Sequence, residues 1–76
     1  MAQTIAPRIT VDPAVRSGKP VIEGTRVPVD VVVGRLASGM TADEIAAEYD
    51  IAVEDVAAAL HYAARVLESE EWRVTA

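Results

Sequence analysis

The sequence contains no cysteine and no phenylalanine, and only three of its 76 residues are aromatic. Without cysteine, the chain has neither a disulfide framework nor a thiolate metal site. A chain of this length buries only about 60% of the surface that its unfolded form exposes, so we expect one domain with a thin core. Its apolar residues are mainly alanine and valine, and so much small apolar surface in a short chain favours burial between subunits. We therefore expect a homodimer.

Long hydrophobic runs are absent too. No stretch approaches the roughly 20 apolar residues of a membrane span, and the first thirty residues contain no apolar run of signal-peptide length. These absences predict a protein of the cytoplasm that has no membrane partner.

Groups typical of catalysis are equally scarce. The single histidine, His61, lies on a polar helix stripe with Arg65 one turn further on, and such a histidine is usually solvated. The sequence has no His/carboxylate cluster at metal-ligand spacing and no nucleophile elbow. Gly18-Lys19-Pro20 lacks the length and the second glycine of a phosphate loop. We therefore predict a protein that is not an enzyme, with no cofactor, metal or small-molecule substrate.

The net charge of −5 is unevenly distributed. Residues 1–29 contain four basic and two acidic residues, whereas residues 30–76 contain three basic and ten acidic ones. An anionic partner would therefore meet the N-terminal third. The candidates for contacts with DNA phosphates or the minor groove, doubled in a dimer, are Arg8, Arg16, Lys19 and Arg26.

Prolines and glycines interrupt residues 1–28, so no useful helix fits there. Two β-branched stretches, Arg8–Val11 and Val21–Val27, predict short strands, the second around a turn at Glu23-Gly24. We expect residues from about 8 to 28 to form an arm of short β strands and extended chain.

Three helices are predicted after this arm, with residues 69–76 as a tail. The first runs from Pro28 to about Gly39. The second begins at Thr41, whose spacing to Glu44 is that of a capping box. The third extends from about residue 53 to residue 68. We predict a mainly α fold: short N-terminal β strands or a hairpin, then a three-helix, helix-turn-helix-like bundle of winged or homeodomain-like type.

The third helix is apolar around most of its circumference, because its polar residues fall within one narrow stripe. A helix of this kind is buried on two sides, one against the preceding helices and the other against a partner. The predicted dimer contacts are Ala59, Tyr62, Ala63 and Val66.

The segment from Thr41 to Leu60 has the pattern of a helix-turn-helix, with two departures. Asp50 occupies the turn position that favours glycine, and Ala52 replaces the usual Ser or Thr cap. A recognition helix directs its first residues at base edges, but this one begins with Glu54 and Asp55. We therefore favour a packing role for the third helix over major-groove reading.

A long signature resembles that of the small bacterial family called domain of unknown function 433. The matching residues are Gly18 to Val29 (GKPVIEGTRVPV), Leu36 to Thr41, Glu44-Ile45, Tyr49, Glu54 to Val56, Ala58 to Leu60 and Tyr62-Ala63. The resemblance covers roughly residues 8–64 and implies a helix-turn-helix-like domain. It also implies the VapB-like antitoxin of a type II toxin–antitoxin pair, whose partner is a PIN-like ribonuclease toxin.

Two questions stay open at this stage. Thr25 and Arg26 either tie the strand-to-helix crossing by hydrogen bonds to the backbone, or Arg26 contacts an anion or the toxin. In the tail, Trp72 and Arg73 are either part of a frayed helix end or an adhesive strip for the toxin. An antitoxin would occlude an acidic, metal-dependent nuclease site; a DNA-binding autorepressor and a plain dimeric adaptor are the alternatives.

Overall fold

The computed structural model describes residues 1–69, in which three short strands precede three helices. The predicted contacts of Trp72 and Arg73 lie outside the described residues. The strands are β1 (Gln3–Ala6), β2 (Ile9–Val11) and β3 (Val21–Ile22), and the helices are α1 (Val29–Ala37), α2 (Ala42–Tyr49) and α3 (Val53–Ser69). The predicted fold class, short N-terminal strands followed by three helices, is confirmed.

The strands form one antiparallel sheet in the order β1-β2-β3. A tight turn at Pro7 and Arg8 joins β1 to β2, and Arg8 adopts a left-handed backbone with φ 66°. The turn at Glu23-Gly24 is where the sequence places it, and Gly24 has φ 77°. The strand predicted to reach Val27 is shorter, because after this turn the chain returns to the sheet through the single bridge between Val21 and Pro28.

The second helix begins with the predicted capping box. The Glu44 amide donates to Thr41 Oγ1 at 3.1 Å, and the Thr41 amide donates to Glu44 Oε1 at 2.8 Å. The helix ends at Asp50, whose left-handed conformation (φ 55°, ψ 48°) makes the turn that glycine would usually make. Aspartate can occupy this region because its short polar side chain bonds locally.

The start of α3 has no hydroxyl at Ala52 to accept from a first-turn amide, but Asp55 makes the reciprocal hydrogen bond of a capping box. Its Oδ2 accepts a hydrogen bond from the Ala52 amide at 2.9 Å. A carboxylate at this position also interacts favourably with the helix macrodipole. Asp55 therefore partly compensates for the missing Ser or Thr cap at Ala52.

One hydrophobic core lies where α3 packs against α1, α2 and the sheet. Its buried residues come from β2, β3 and all three helices: Ile9, Ile22, Val29, Val32, Ile45, Val56 and Ala59. Each of the short strands β2 and β3 anchors itself in this core through an isoleucine that is 0% exposed. Within the described residues, no helix is long and apolar enough to cross a membrane.

Removing the capping hydroxyl of α2 should lower stability measurably. We expect Thr41→Ala to cost about 1 kcal/mol of unfolding free energy, because one helix amide loses its acceptor. In a domain of this size that corresponds to a fall of about 4–8 °C in Tm, measured by circular dichroism. Thr41→Ser, which keeps the hydroxyl, is the control and should stay near wild type; equal losses in both variants would contradict a capping role.

Candidate functional site

Three of the four cations expected to meet an anion lie around one open concavity, which we call the basic cleft. It has a volume of about 670 Å³, and Arg16, Lys19 and Arg26 supply its charged groups. The remaining lining residues are Pro13, Ala14 and Ser17. All three cations are exposed, so the cleft can be approached from solvent.

A short polar turn builds one wall of the basic cleft. Asp12 Oδ1 accepts a hydrogen bond from the Ala14 amide at 2.9 Å, and the Val15 amide donates to the Asp12 carbonyl at 2.8 Å. The Ala14 hydrogen bond, aided by the nearby N-terminal ammonium, holds the pKa of the Asp12 carboxyl below its ordinary value. These bonds fix the path of the chain just before Arg16.

The next three residues, Arg16–Gly18, form a left-handed turn. Arg16 has φ 51°, Ser17 has φ 57° and Gly18 has φ 83°. Such a conformation costs roughly 1–2 kcal/mol for each residue other than glycine. Backbone strain of this kind persists only where surrounding structure over-determines it, and it is concentrated at functional sites. Here the strained turn places the Arg16 and Lys19 side chains on the same cleft.

The turn after β3 also contributes to the basic cleft, through Arg26. In this turn the roles of Thr25 and Arg26 differ. Thr25 Oγ1 donates to the Ile22 carbonyl at 2.8 Å and accepts from the Val27 amide at 3.0 Å. Thr25 is therefore the residue that ties the crossing together. Among the described residues, the Arg26 side chain has no hydrogen bond or ion pair, and Arg26 is one of the residues that line the basic cleft.

Lys19 is partly neutralised at the edge of the cleft. Its Nζ donates to Asp30 Oδ2 at 2.9 Å. That hydrogen bond, together with the charges of Lys19 and Arg16, holds the pKa of the Asp30 carboxyl below its ordinary value. Both side chains are more than half exposed, so the pair is well screened and contributes little to stability. The pair sets how much positive charge the cleft presents.

Arg8 does not line the basic cleft with the other three cations. Its Nη1 donates to Asp55 Oδ1 at 2.9 Å, so it joins the β1–β2 turn to the start of α3. Asp55 thereby accepts hydrogen bonds on both oxygens, one from Arg8 and one from the Ala52 amide. Both oxygens of the Asp55 carboxylate are thus engaged in contacts within the fold.

A second surface is an apolar groove between α1 and the C-terminal half of α3, with a volume of about 510 Å³. Three of the four predicted dimer contacts, Tyr62, Ala63 and Val66, line it. The fourth, Ala59, is 0% exposed in the chain's own core, so it is unavailable to a second copy. Tyr62 also packs against that core. Of the predicted set, Ala59 is thus part of the chain's own core, whereas Val66 is 39% exposed in the groove.

The described residues hold no group of three His, Cys, Asp or Glu side chains able to bind a metal ion. His61 is exposed and lies beside Arg65 and Arg8 on a separate concavity, away from the basic cleft. The charged groups at the basic cleft are the guanidinium groups of Arg16 and Arg26 and the ammonium group of Lys19, and such groups form their strongest hydrogen bonds with carboxylates and phosphates.

Comparisons with known proteins give a family and two solved structures. The sequence profile described as "Protein of unknown function (DUF433)" matches residues 9–63. A DUF433 member protein from Anabaena variabilis ATCC 29413 has 34% identity and a TM-score of 0.73 over 80% of this chain. Rv2018 from Mycobacterium tuberculosis has 33% identity and a TM-score of 0.64 over 68% of it. The chain spans 61% and 24% of those two proteins, respectively. No curated protein matches it.

Proposed function

Since this chain belongs to the DUF433 family, matched across residues 9–63, we propose that it is a binding protein of the antitoxin type. In this proposal it binds a PIN-like ribonuclease toxin directly and performs no catalysis itself. The observation that supports the proposal is the convergence of Arg16, Lys19 and Arg26 on one exposed cleft. Such a cleft is complementary to the acidic, metal-dependent site of a nuclease of this class.

Arg26 is the residue best suited to enter such a site. Its guanidinium carries five donors, stays charged when desolvated and pairs bidentately with carboxylates. Since no described side chain pairs with Arg26, binding would not first have to break an intramolecular ion pair. Arg16 and Lys19, which line the same cleft, would stabilise the approach of the acidic surface.

The test is co-expression of the full chain with the product of the adjacent gene. We expect the two proteins to co-elute, and the growth arrest caused by the neighbour alone to be relieved. Purified complex should show no ribonuclease activity, and removing the chain should restore it. A neighbour that is harmless, or one that arrests growth but neither binds nor is relieved, would overturn the proposal.

Operator DNA is the second candidate for the same cleft. Phosphates share the charge of carboxylates, and three cations on one concave surface suit a duplex backbone. Three phosphate contacts would give a salt slope, log K against log[salt], of about −2.7 for a single copy. Two features disfavour this candidate: the first turn of α3 carries the carboxylates Glu54 and Asp55, and the cation Arg8 is already paired with Asp55. Fluorescence anisotropy with operator duplex between 50 and 200 mM salt separates it from the antitoxin function.

Removing the carboxylate beside Lys19 should strengthen binding of an anionic partner. We expect Asp30→Asn to increase affinity about 3-fold at low salt, because Lys19 is released and the cleft gains one net positive charge. Isothermal titration calorimetry against the partner would measure it. Asp43→Asn changes the net charge equally on α2, away from the cleft, and should leave affinity within about 1.5-fold of wild type. An unchanged affinity for Asp30→Asn would mean that the partner binds elsewhere.

A further inference from the structure

The apolar groove between α1 and the C-terminal half of α3 adjoins the basic cleft. Lys19 lines both concavities. Its ion-pair partner Asp30, whose Oδ2 accepts a hydrogen bond from Lys19 Nζ at 2.9 Å, lines the groove. A protein that contacts Lys19 in the cleft therefore already lies at the edge of the groove.

Apart from this ion pair, the described residues that line the groove carry no charge. They include Val29, Val33, Gly34, Ala63, Val66 and Leu67, and we call this surface the α1–α3 groove. Val66 and Leu67 are exposed, so part of the apolar surface faces water in the free chain. The core of a protein–protein interface is apolar and depleted of charge, and its rim is polar. The α1–α3 groove and the basic cleft together have this arrangement.

Gly34 is the residue of the groove that its own chain does not explain. It lies in the interior of α1 (Val29–Ala37), where glycine is less stable than alanine because it loses more conformational freedom on folding. Its φ is not positive, so the backbone does not require glycine. Apart from the adjoining residues and the backbone of α1, no atom of the described chain lies within 4 Å of the position that a Cβ would occupy. Packing within the described chain does not require glycine either.

We propose that the α1–α3 groove receives an apolar side chain of the same protein partner whose carboxylates bind the basic cleft, and that Gly34 lets this side chain approach the backbone of α1 closely. Glycine is the residue that permits such an approach. The inference rests on the proposed function and specifies the partner further. Its binding surface carries a large apolar side chain next to its acidic residues.

The division of roles between the two concavities follows from the energetics of interfaces. A stable interface buries about 800 Å² on each partner, and its affinity comes mainly from a few anchors that fill well-packed apolar pockets. Charged contacts contribute more to the rate and specificity of association than to its affinity. The cations of the basic cleft therefore select and orient an acidic partner, and the α1–α3 groove supplies the apolar burial that holds it.

Substitution of Gly34 tests the inference because stability and binding should change in opposite directions. We expect Gly34→Ala to raise the Tm of the free chain by about 2–8 °C, and to weaken binding of the purified product of the adjacent gene about 3–10-fold, because the added methyl group takes space that the anchor uses. Gly34→Leu should weaken binding at least about 30-fold for the same reason, with a Tm no lower than that of the wild type. Circular dichroism measures the Tm, and isothermal titration calorimetry measures the affinity.

Ala47→Leu is the matched control, since it adds apolar bulk at an exposed position of α2 outside the groove. We expect its affinity to stay within about 2-fold of wild type, as is usual for a substitution outside the contact surface. Equal losses of affinity in Ala47→Leu and Gly34→Leu would overturn the inference, because added surface hydrophobicity alone would then explain them.

The remaining outcomes separate this inference from the proposed function. Wild-type affinity in Gly34→Leu, together with a large loss in Arg26→Glu, would overturn the inference and leave the proposed function standing. A neighbour that binds neither the wild type nor the variants would overturn both. A lowered Tm in Gly34→Ala would mean that the chain itself fills the space, and a change in self-association but not in toxin binding, measured by sedimentation equilibrium, would identify a second copy as the occupant. Either result would overturn the inference.

Discussion

An Ile45→Ala variant is expected to lose about 3 kcal/mol of unfolding free energy and to be partly unfolded at 37 °C. Ile45 is 0% exposed on α2 and belongs to the core formed with α1, α3 and the sheet. Truncation removes the transfer free energy of three buried carbons and leaves a cavity that a packed core relaxes only in part. A domain of 76 residues has a total stability of about 4–11 kcal/mol, so this loss is a large fraction of the whole.

Urea denaturation at one fixed protein concentration, followed by circular dichroism at 222 nm, would measure the loss. Ile5→Ala makes the same chemical change on β1, where the side chain is 40% exposed, and we expect it to cost less than about 1 kcal/mol. Similar midpoints for the two variants, with unchanged m-values, would show that Ile45 is not part of a tightly packed core.

The helical part of the fold could be read from the sequence because its boundaries are marked by local chemistry. The Thr41–Glu44 capping box acts over four residues and needs no tertiary information. The strands were harder. Gln3–Ala6 has only one large apolar residue, Ile5, and becomes β1 because it pairs with β2. A strand that forms because it pairs with a neighbouring strand has little signature in its own sequence.

The arrangement of the cations could not be predicted, for a similar reason. The sequence indicates that the N-terminal third is basic, but it does not say which of its four cations lie together in space. Arg8 is removed from the group by Asp55, a partner 47 residues away, which no local pattern reveals. The walls of the cleft depend on the left-handed turn at Arg16–Gly18, and two of its three residues are types that seldom adopt that conformation.

For α3, too, the sequence alone does not predict which of two apolar faces packs against the core. The sequence correctly indicates a helix with apolar residues on two sides, but Ala59 and Leu60 are adjacent and both apolar. Periodicity alone does not say which of them faces the core. Packing against α1 and α2 decides it: Ala59 is buried, and Leu60 stays exposed. Small residues favour the close contact of α3 with its own chain, and the larger leucines remain outside.

Reversing the charge of Arg26 is expected to weaken binding of the toxin at least about 100-fold and to abolish relief of growth arrest. In the proposed complex the Arg26→Glu carboxylate would face the acidic residues of the nuclease, so an attraction becomes a repulsion in a partly desolvated site. The fold should be unaffected, because Arg26 is exposed and no described residue bonds to its side chain. Calorimetric titration of purified toxin and unchanged thermal melting would measure the two effects separately.

Arg65→Glu is the matched control, since it alters the net charge by the same amount at an exposed position on α3. Long-range electrostatics alone would make both variants lose affinity to a similar and salt-dependent extent. A contact in the basic cleft predicts instead that Arg26→Glu is far more damaging, and that its loss persists at physiological salt because a desolvated charge is poorly screened. Equal losses in the two variants would leave the overall charge of the chain, and not the cleft, as the determinant of binding.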